Sequence, residues 1–157
     1  MREIKFRGKK LNNKWTYGTY AEIDTTDYRV GSKDVPVIIE KNSHYESNEG
    51  ICGFDIVVKE TVGQFTGLYD KNGKEIYEGD IIETGYKEVF KIEFRLSEDI
   101  GCNGGEYGFD ITGFMPVTLK GSVDNRGDCE IAYQSFIDGS CVVIGNIHDN
   151  PELLKEQ

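Results

Sequence analysis

Four side chains with oxygen donors, Asp70, Asn72, Glu75 and Asp80, fall within eleven residues of the 157-residue chain. Carboxylates and amides clustered in this way are the chemistry of a calcium loop. An EF-hand loop needs glycine at its sixth position and a carboxylate at its twelfth. Counted from Asp70, the glycine is fourth (Gly73) and the twelfth residue is Ile81. Two consecutive turns fit better. Asn72-Gly73 is the strongest short-range hairpin signal and predicts a type I′ turn, with positive φ at both residues. Glu78-Gly79-Asp80 predicts a second turn leading into Ile81 and Ile82.

Other reactive side chains are sparse. The cysteines are Cys52, Cys102, Cys129 and Cys141, and no two have Cys-x-x-Cys spacing, so a zinc site is not expected. Free thiols are the expected state. His44 and His148 are the chain's two histidines, which leaves few general bases near neutral pH. Cys52 with His44, Cys141 with His148, and Ser43 with His44 are chance neighbours without a surrounding signature. Acid pairs such as Glu78 with Asp80, or Glu98 with Asp99, read as a solvated surface. No catalytic, cofactor-binding or metal-binding residue is assigned, no cofactor is expected, and an enzyme is not expected. The residues singled out are turn formers: Asn72, Gly73, Gly79, Asp80, Asn150 and Pro151.

The elements that hold these turns are strands. Residues 3–7 alternate, with Ile4 and Phe6 on one face, and 15–20 read as the strand pairing back after a turn at 11–14. Val35–Ile39 is β-branched, with Pro36 expected near a strand start or on an edge. Residues 55–58 and 63–69 are further strands. Residues 88–95 give the cleanest alternation: Phe90, Ile92 and Phe94 against Lys91, Glu93 and Arg95. The glycine-rich 101–105 lacks a Walker lysine and a dinucleotide fingerprint. It precedes an expected strand at 107–111. Residues 131–137 fit a strand or one short helix, and 141–144 a buried strand. Asn150-Pro151-Glu152 predicts the cap and first turn of a short C-terminal helix. Nineteen glycines and short, evenly spaced strands predict an all-β domain over 1–157. The expected form is a mostly antiparallel barrel- or sandwich-like meander with a short C-terminal helix.

Charge narrows the partners. Residues 1–20 hold six basic groups and one acid, net +5, against −10 for the whole chain. An acidic body disfavours broad nucleic-acid binding. The N-terminal cations read first as protection of an edge strand. No apolar run approaches the ~18 residues of a membrane span, and the N-terminus lacks a signal-peptide core. The expected location is the cytoplasm, with no membrane partner.

Three ordered motifs carry a resemblance: REIKFRGK (2–9), TGLYDKNGKEIYEGDII (66–82) and VIGNIHDNPELL (143–154). Together they resemble the YopX family of phage and prophage proteins across nearly the whole chain. Residues 21–60 and 96–140 look like its variable regions. The resemblance implies a small, mostly β protein acting in a bacterial host's cytoplasm, and no enzyme activity. Three readings follow. The preferred one is a non-catalytic binding or assembly module working through a host or phage protein, or through self-association. The second is a nucleic-acid role, by direct contact from residues 2–14 or by acidic mimicry of DNA. The third is a small-ligand site in a barrel mouth.

Overall fold

A computed structural model describes residues 3–24, 34–40, 53–95, 113–120 and 128–154. Two compact units divide the chain, Met1–Phe65 and Thr66–Gln157. His44, Cys52, Cys102, Glu98, Asp99, Ser43, the 101–105 stretch and the expected 107–111 strand lie outside the described residues.

In the first unit, β1 (Phe6–Lys9), β2 (Trp15–Ile23), β3 (Val35–Ile39) and β4 (Phe54–Ile56) form an antiparallel meander. A 3-10 turn at Lys59–Thr61 leads to β5 (Gly63–Tyr69), whose start pairs with β1. The order is β4-β3-β2-β1-β5. Pro36 is the second residue of β3, close to the strand start that a residue without an N–H tolerates. Val37, Ile38, Val57 and Phe65 are buried. Gly18 lets β3 approach: a Cβ there would lie 2.0 Å from the Ile39 carbonyl oxygen. Ile4 is 68% exposed, because the strand starts at Phe6 and not at residue 3.

After β4 the chain returns toward β1. Val57 forms a bridge with Lys10, and Val58 N donates to Lys9 O at 2.8 Å. One bridge is not a ladder. Among the described residues the sheets stay open, so no closed barrel forms there.

In the second unit the end of β5 pairs with β6 (Glu75–Tyr77). A separate antiparallel sheet has the order β10-β7-β8-β9, from β7 (Asp80–Glu83), β8 (Val89–Arg95), β9 (Gly113–Lys120) and β10 (Val142–Asn146). Residues 128–137 form helix α1 (Asp128–Ile137), which resolves the strand-or-helix alternative. Ile76, Ile82, Phe90, Ile92, Phe114, Phe136, Cys141 and Val143 make one apolar cluster. Phe90 and Ile92 follow the alternation of β8. Phe94 does not: it is half exposed and meets Phe114 edge-on, centroids 5.3 Å apart. Pro116 sits in β9, the outermost described strand, where a missing N–H is tolerated. The C-terminal helix is a single 3-10 turn, Pro151–Leu154.

Candidate functional site

The Asn72-Gly73 turn differs from expectation. Asp70 N donates to Lys74 O and Gly73 N donates to Asp70 O, both at 2.9 Å. Gly73 has φ +78, and Asn72 is not among the positive-φ residues. This is a three-residue loop, a type I turn closed by a left-handed residue, and not type I′. The cause is Asp70, which is 5% exposed. Its Oδ1 accepts from Asn72 N (2.8 Å) and Lys74 N (2.9 Å), and its Oδ2 accepts from Val143 N (3.0 Å). Burial alone would push this carboxyl up, but the three backbone N–H groups outweigh it and hold the pKa below the usual carboxylate value. The carboxylate ties the hairpin to β10, and so does Lys71 N donating to Cys141 O at 3.0 Å.

The second turn follows the same logic. Gly79 has φ +80, which the third position of a type II turn requires. Asp80, 1% exposed, accepts from Tyr77 N at 2.8 Å. Glu75 accepts from the Tyr77 hydroxyl at 2.6 Å. Among the described residues no three metal-ligating side chains gather. Asp70 and Asp80, the two buried oxygen donors of the calcium reading, instead receive backbone N–H groups.

Near the C-terminus, Asn146 Oδ1 accepts from His148 N (3.0 Å) and Asp149 N (2.9 Å). The Asn150 side chain does not cap the turn after it. Its Oδ1 accepts from Asn146 N at 3.3 Å, and its Nδ2 donates to Glu152 at 3.2 Å. Pro151 opens the 3-10 turn. Cys141 is buried, and desolvation, helped by the charges of Asp70 and Asp138, pushes its thiol up to about 11. A thiol protonated at neutral pH is a poor nucleophile.

The first unit places its chemistry on its surface. Phe54 and Ile56, alternate residues of β4, are 39% and 40% exposed, and Val58 continues the row at 36%. β4 is the outermost described strand of its sheet. On the β1–β2 hairpin, Arg7 pairs with Tyr17 and Lys9 with Trp15. Odd-numbered residues share a face. Lys5 Nζ lies 5.6 Å from the Tyr17 ring centroid, and Arg7 Cζ and Lys9 Nζ lie 4.8 and 5.5 Å from that of Trp15. Thr16, of opposite parity, is buried, with its hydroxyl 3.0 Å from Glu40 and 2.8 Å from Asp55. Sequence reasoning noted the N-terminal cations and the strand at 15–20 separately. The signal that joins them is the turn: a three-residue loop at 11–13 sets Lys9 opposite Trp15.

A family model described as YopX protein matches residues 5–155. The chain belongs to the YopX family. Among solved structures, the crystal structure of protein EF1440 from Enterococcus faecalis is similar to this chain at 22% identity and a TM-score of 0.46. That likeness covers 99% of this chain and 100% of the other. No curated protein matches. Two of the three YopX motifs noted in the sequence coincide with scaffold: 66–82 runs from the end of β5 through the Asp70 and Gly79 turns into β7, and 143–154 runs from β10 to the final turn, while 2–9 holds β1.

Proposed function

We propose that this YopX protein is a phage- or prophage-encoded binding and assembly module, not an enzyme, acting through protein contacts in the bacterial cytoplasm. The observation that supports this most is the exposed apolar row Phe54, Ile56 and Val58 on the outermost described strand of the first unit. A sheet edge offers unpaired backbone groups to an incoming strand, and an apolar row beside it supplies burial. Antiparallel pairing of β4 with its own copy is self-complementary and closes as a two-fold dimer. A host or phage protein contributing a strand is the other occupant of the same edge. The non-catalytic reading is supported by how the second unit's buried acids are used. Asp70 and Asp80 hold backbone N–H groups in place, and Cys141 keeps its proton.

Light scattering across a concentration series tests the dimer. A dimer that Ile56→Lys converts to monomer is expected, with a melting temperature equal to that of wild type at dilutions where wild type is monomeric. If the protein stays monomeric throughout and recovers no protein partner from phage-infected cells, the reading fails.

A further inference from the structure

The odd-numbered face of the β1–β2 hairpin is laid out in two lanes. Cations run along one strand (Lys5, Arg7, Lys9) and rings along the other (Trp15, Tyr17), matched rung by rung through the register Arg7–Tyr17 and Lys9–Trp15. Residues two apart on a strand are separated by about 6.7 Å. We propose that this face binds single-stranded nucleic acid, with phosphates against Lys5 and Lys9 and neighbouring bases stacked on Trp15 and Tyr17.

The argument begins with what the two lanes offer. Proteins that hold single strands combine a cationic track for the backbone with aromatic platforms for successive bases. The ring spacing of about 6.7 Å is roughly twice the 3.4 Å step of a nucleic-acid strand, so each ring has room for its own base. Tyr17 is 44% exposed, and Lys5, Lys9 and Trp15 are half-buried. Arg7, 6% exposed, is a positioning residue: its guanidinium lies against the Trp15 ring and fixes it.

The acidic balance of the chain does not oppose this. Residues 1–65 hold ten basic and ten acidic side chains, and residues 66–157 hold eight and eighteen. The whole net charge of −10 therefore falls on the second unit, while the unit carrying the hairpin is neutral. The β1–β2 hairpin is flanked by β3 and β5 and so cannot enter a major groove as a two-stranded ribbon, and net negative charge repels the denser charge of a duplex more strongly. A single strand is the favoured form. An acidic peptide would satisfy the lysines without using the rings, so it is the competitor to exclude. The register places Phe54 and Ile56 on the same side of the sheet, through Ile39–Thr19 and Val37–Ala21, but the two proposals use different side chains and are told apart by their readouts, tryptophan quenching and oligomeric state.

Trp15 is the chain's one tryptophan, and its fluorescence therefore reports on this face. The full chain is titrated at low salt with a twelve-nucleotide oligothymidylate, the matching duplex, inorganic polyphosphate and poly-glutamate. The expected result is saturable quenching by the oligonucleotide, weaker binding of the duplex, and little effect of the two polyanions that lack bases. Affinity should fall with salt at a log–log slope of about −1.4 for two neutralised phosphates. Tyr17→Ala should weaken binding about tenfold. Lys5→Glu, which keeps the backbone bond from Phe65 N to the residue 5 carbonyl, should also weaken binding and serves if Tyr17→Ala fails to fold. Absence of quenching at low salt overturns the proposal. So does equal binding of polyphosphate or poly-glutamate with no effect of Tyr17→Ala.

Discussion

The same five-residue turn closes a hairpin in each unit, and the two copies are stabilised differently. At Lys10–Lys14 and at Asp70–Lys74 the first residue's N–H reaches the fifth residue's carbonyl, and the fourth residue's N–H reaches the first residue's carbonyl. The fourth residue is left-handed in both, Asn13 at φ 63 and Gly73 at φ 78. The corner side chains differ. Lys10 reaches sideways to Asp55 at 3.2 Å, with both side chains about one-third exposed. Asp70 is buried and accepts three backbone N–H groups, one from Val143, 73 positions away. The second unit has built an acid into its scaffold. The first unit keeps Tyr17 and the row Phe54, Ile56 and Val58 exposed at its surface.

Substitutions should separate the two regions by size of effect. Phe136→Ala, at a side chain 1% exposed in the second unit's core, should cost about 3–5 kcal/mol in urea unfolding. Phe54→Ser on the exposed row should stay within about 0.5 kcal/mol. At the turns, Asp70→Ala should cost about 3 kcal/mol, because it strands a buried N–H of β10. Lys10→Ala should cost less than about 1 kcal/mol, as surface ion pairs do. A comparable loss at both corners would break the contrast.

The acid response sharpens the same point. Asp70 titrates below its unfolded value, so its contribution is complete at neutral pH. It is lost as pH falls from the ordinary carboxylate range, near 4, through the lowered folded value. Glu93 has the same sign: burial pushes it up, but Lys91 and Arg95 together bring it below its usual value. Asp70→Asn should flatten the loss of stability below about pH 4, measured by melting temperature against pH. A small effect of opposite sign belongs to a third copy of the turn, Thr84–Glu88, where Lys87 holds φ 68. Lys87→Gly should raise stability by up to about 1 kcal/mol, since a non-glycine residue is strained there.

The strands were legible where alternation was strong. Val89–Arg95 and Gly63–Tyr69 form strands over the expected residues, and Phe90 and Ile92 are buried as their alternation requires. β9 was not legible, because Gly113 and Pro116 lower its strand signal and its place at the outermost described position tolerates both. The turns at Gly73 and Gly79 could be located from local chemistry. The type of the first could not, since it depends on a carboxylate whose third donor, Val143, is remote in sequence. Asn150 stands directly before the final turn, where its carbonyl accepts from Leu153 N at 3.0 Å, but its side-chain oxygen is taken by Asn146 N, and a Cβ on Gly145 would lie 2.4 Å from that oxygen. The cation–ring face was hidden because it requires the β1–β2 register, which the three-residue loop sets.

The central claim is that the first unit carries the contact surface and the second is scaffold. Light scattering on wild type and Phe54→Asp, with melting curves on the same samples, tests it most directly. The account predicts a concentration-dependent dimer for wild type, a monomer for the variant, and matching melting temperatures at dilutions where wild type is also monomeric. A variant that still dimerises, or one less stable than wild type at those dilutions, would contradict it.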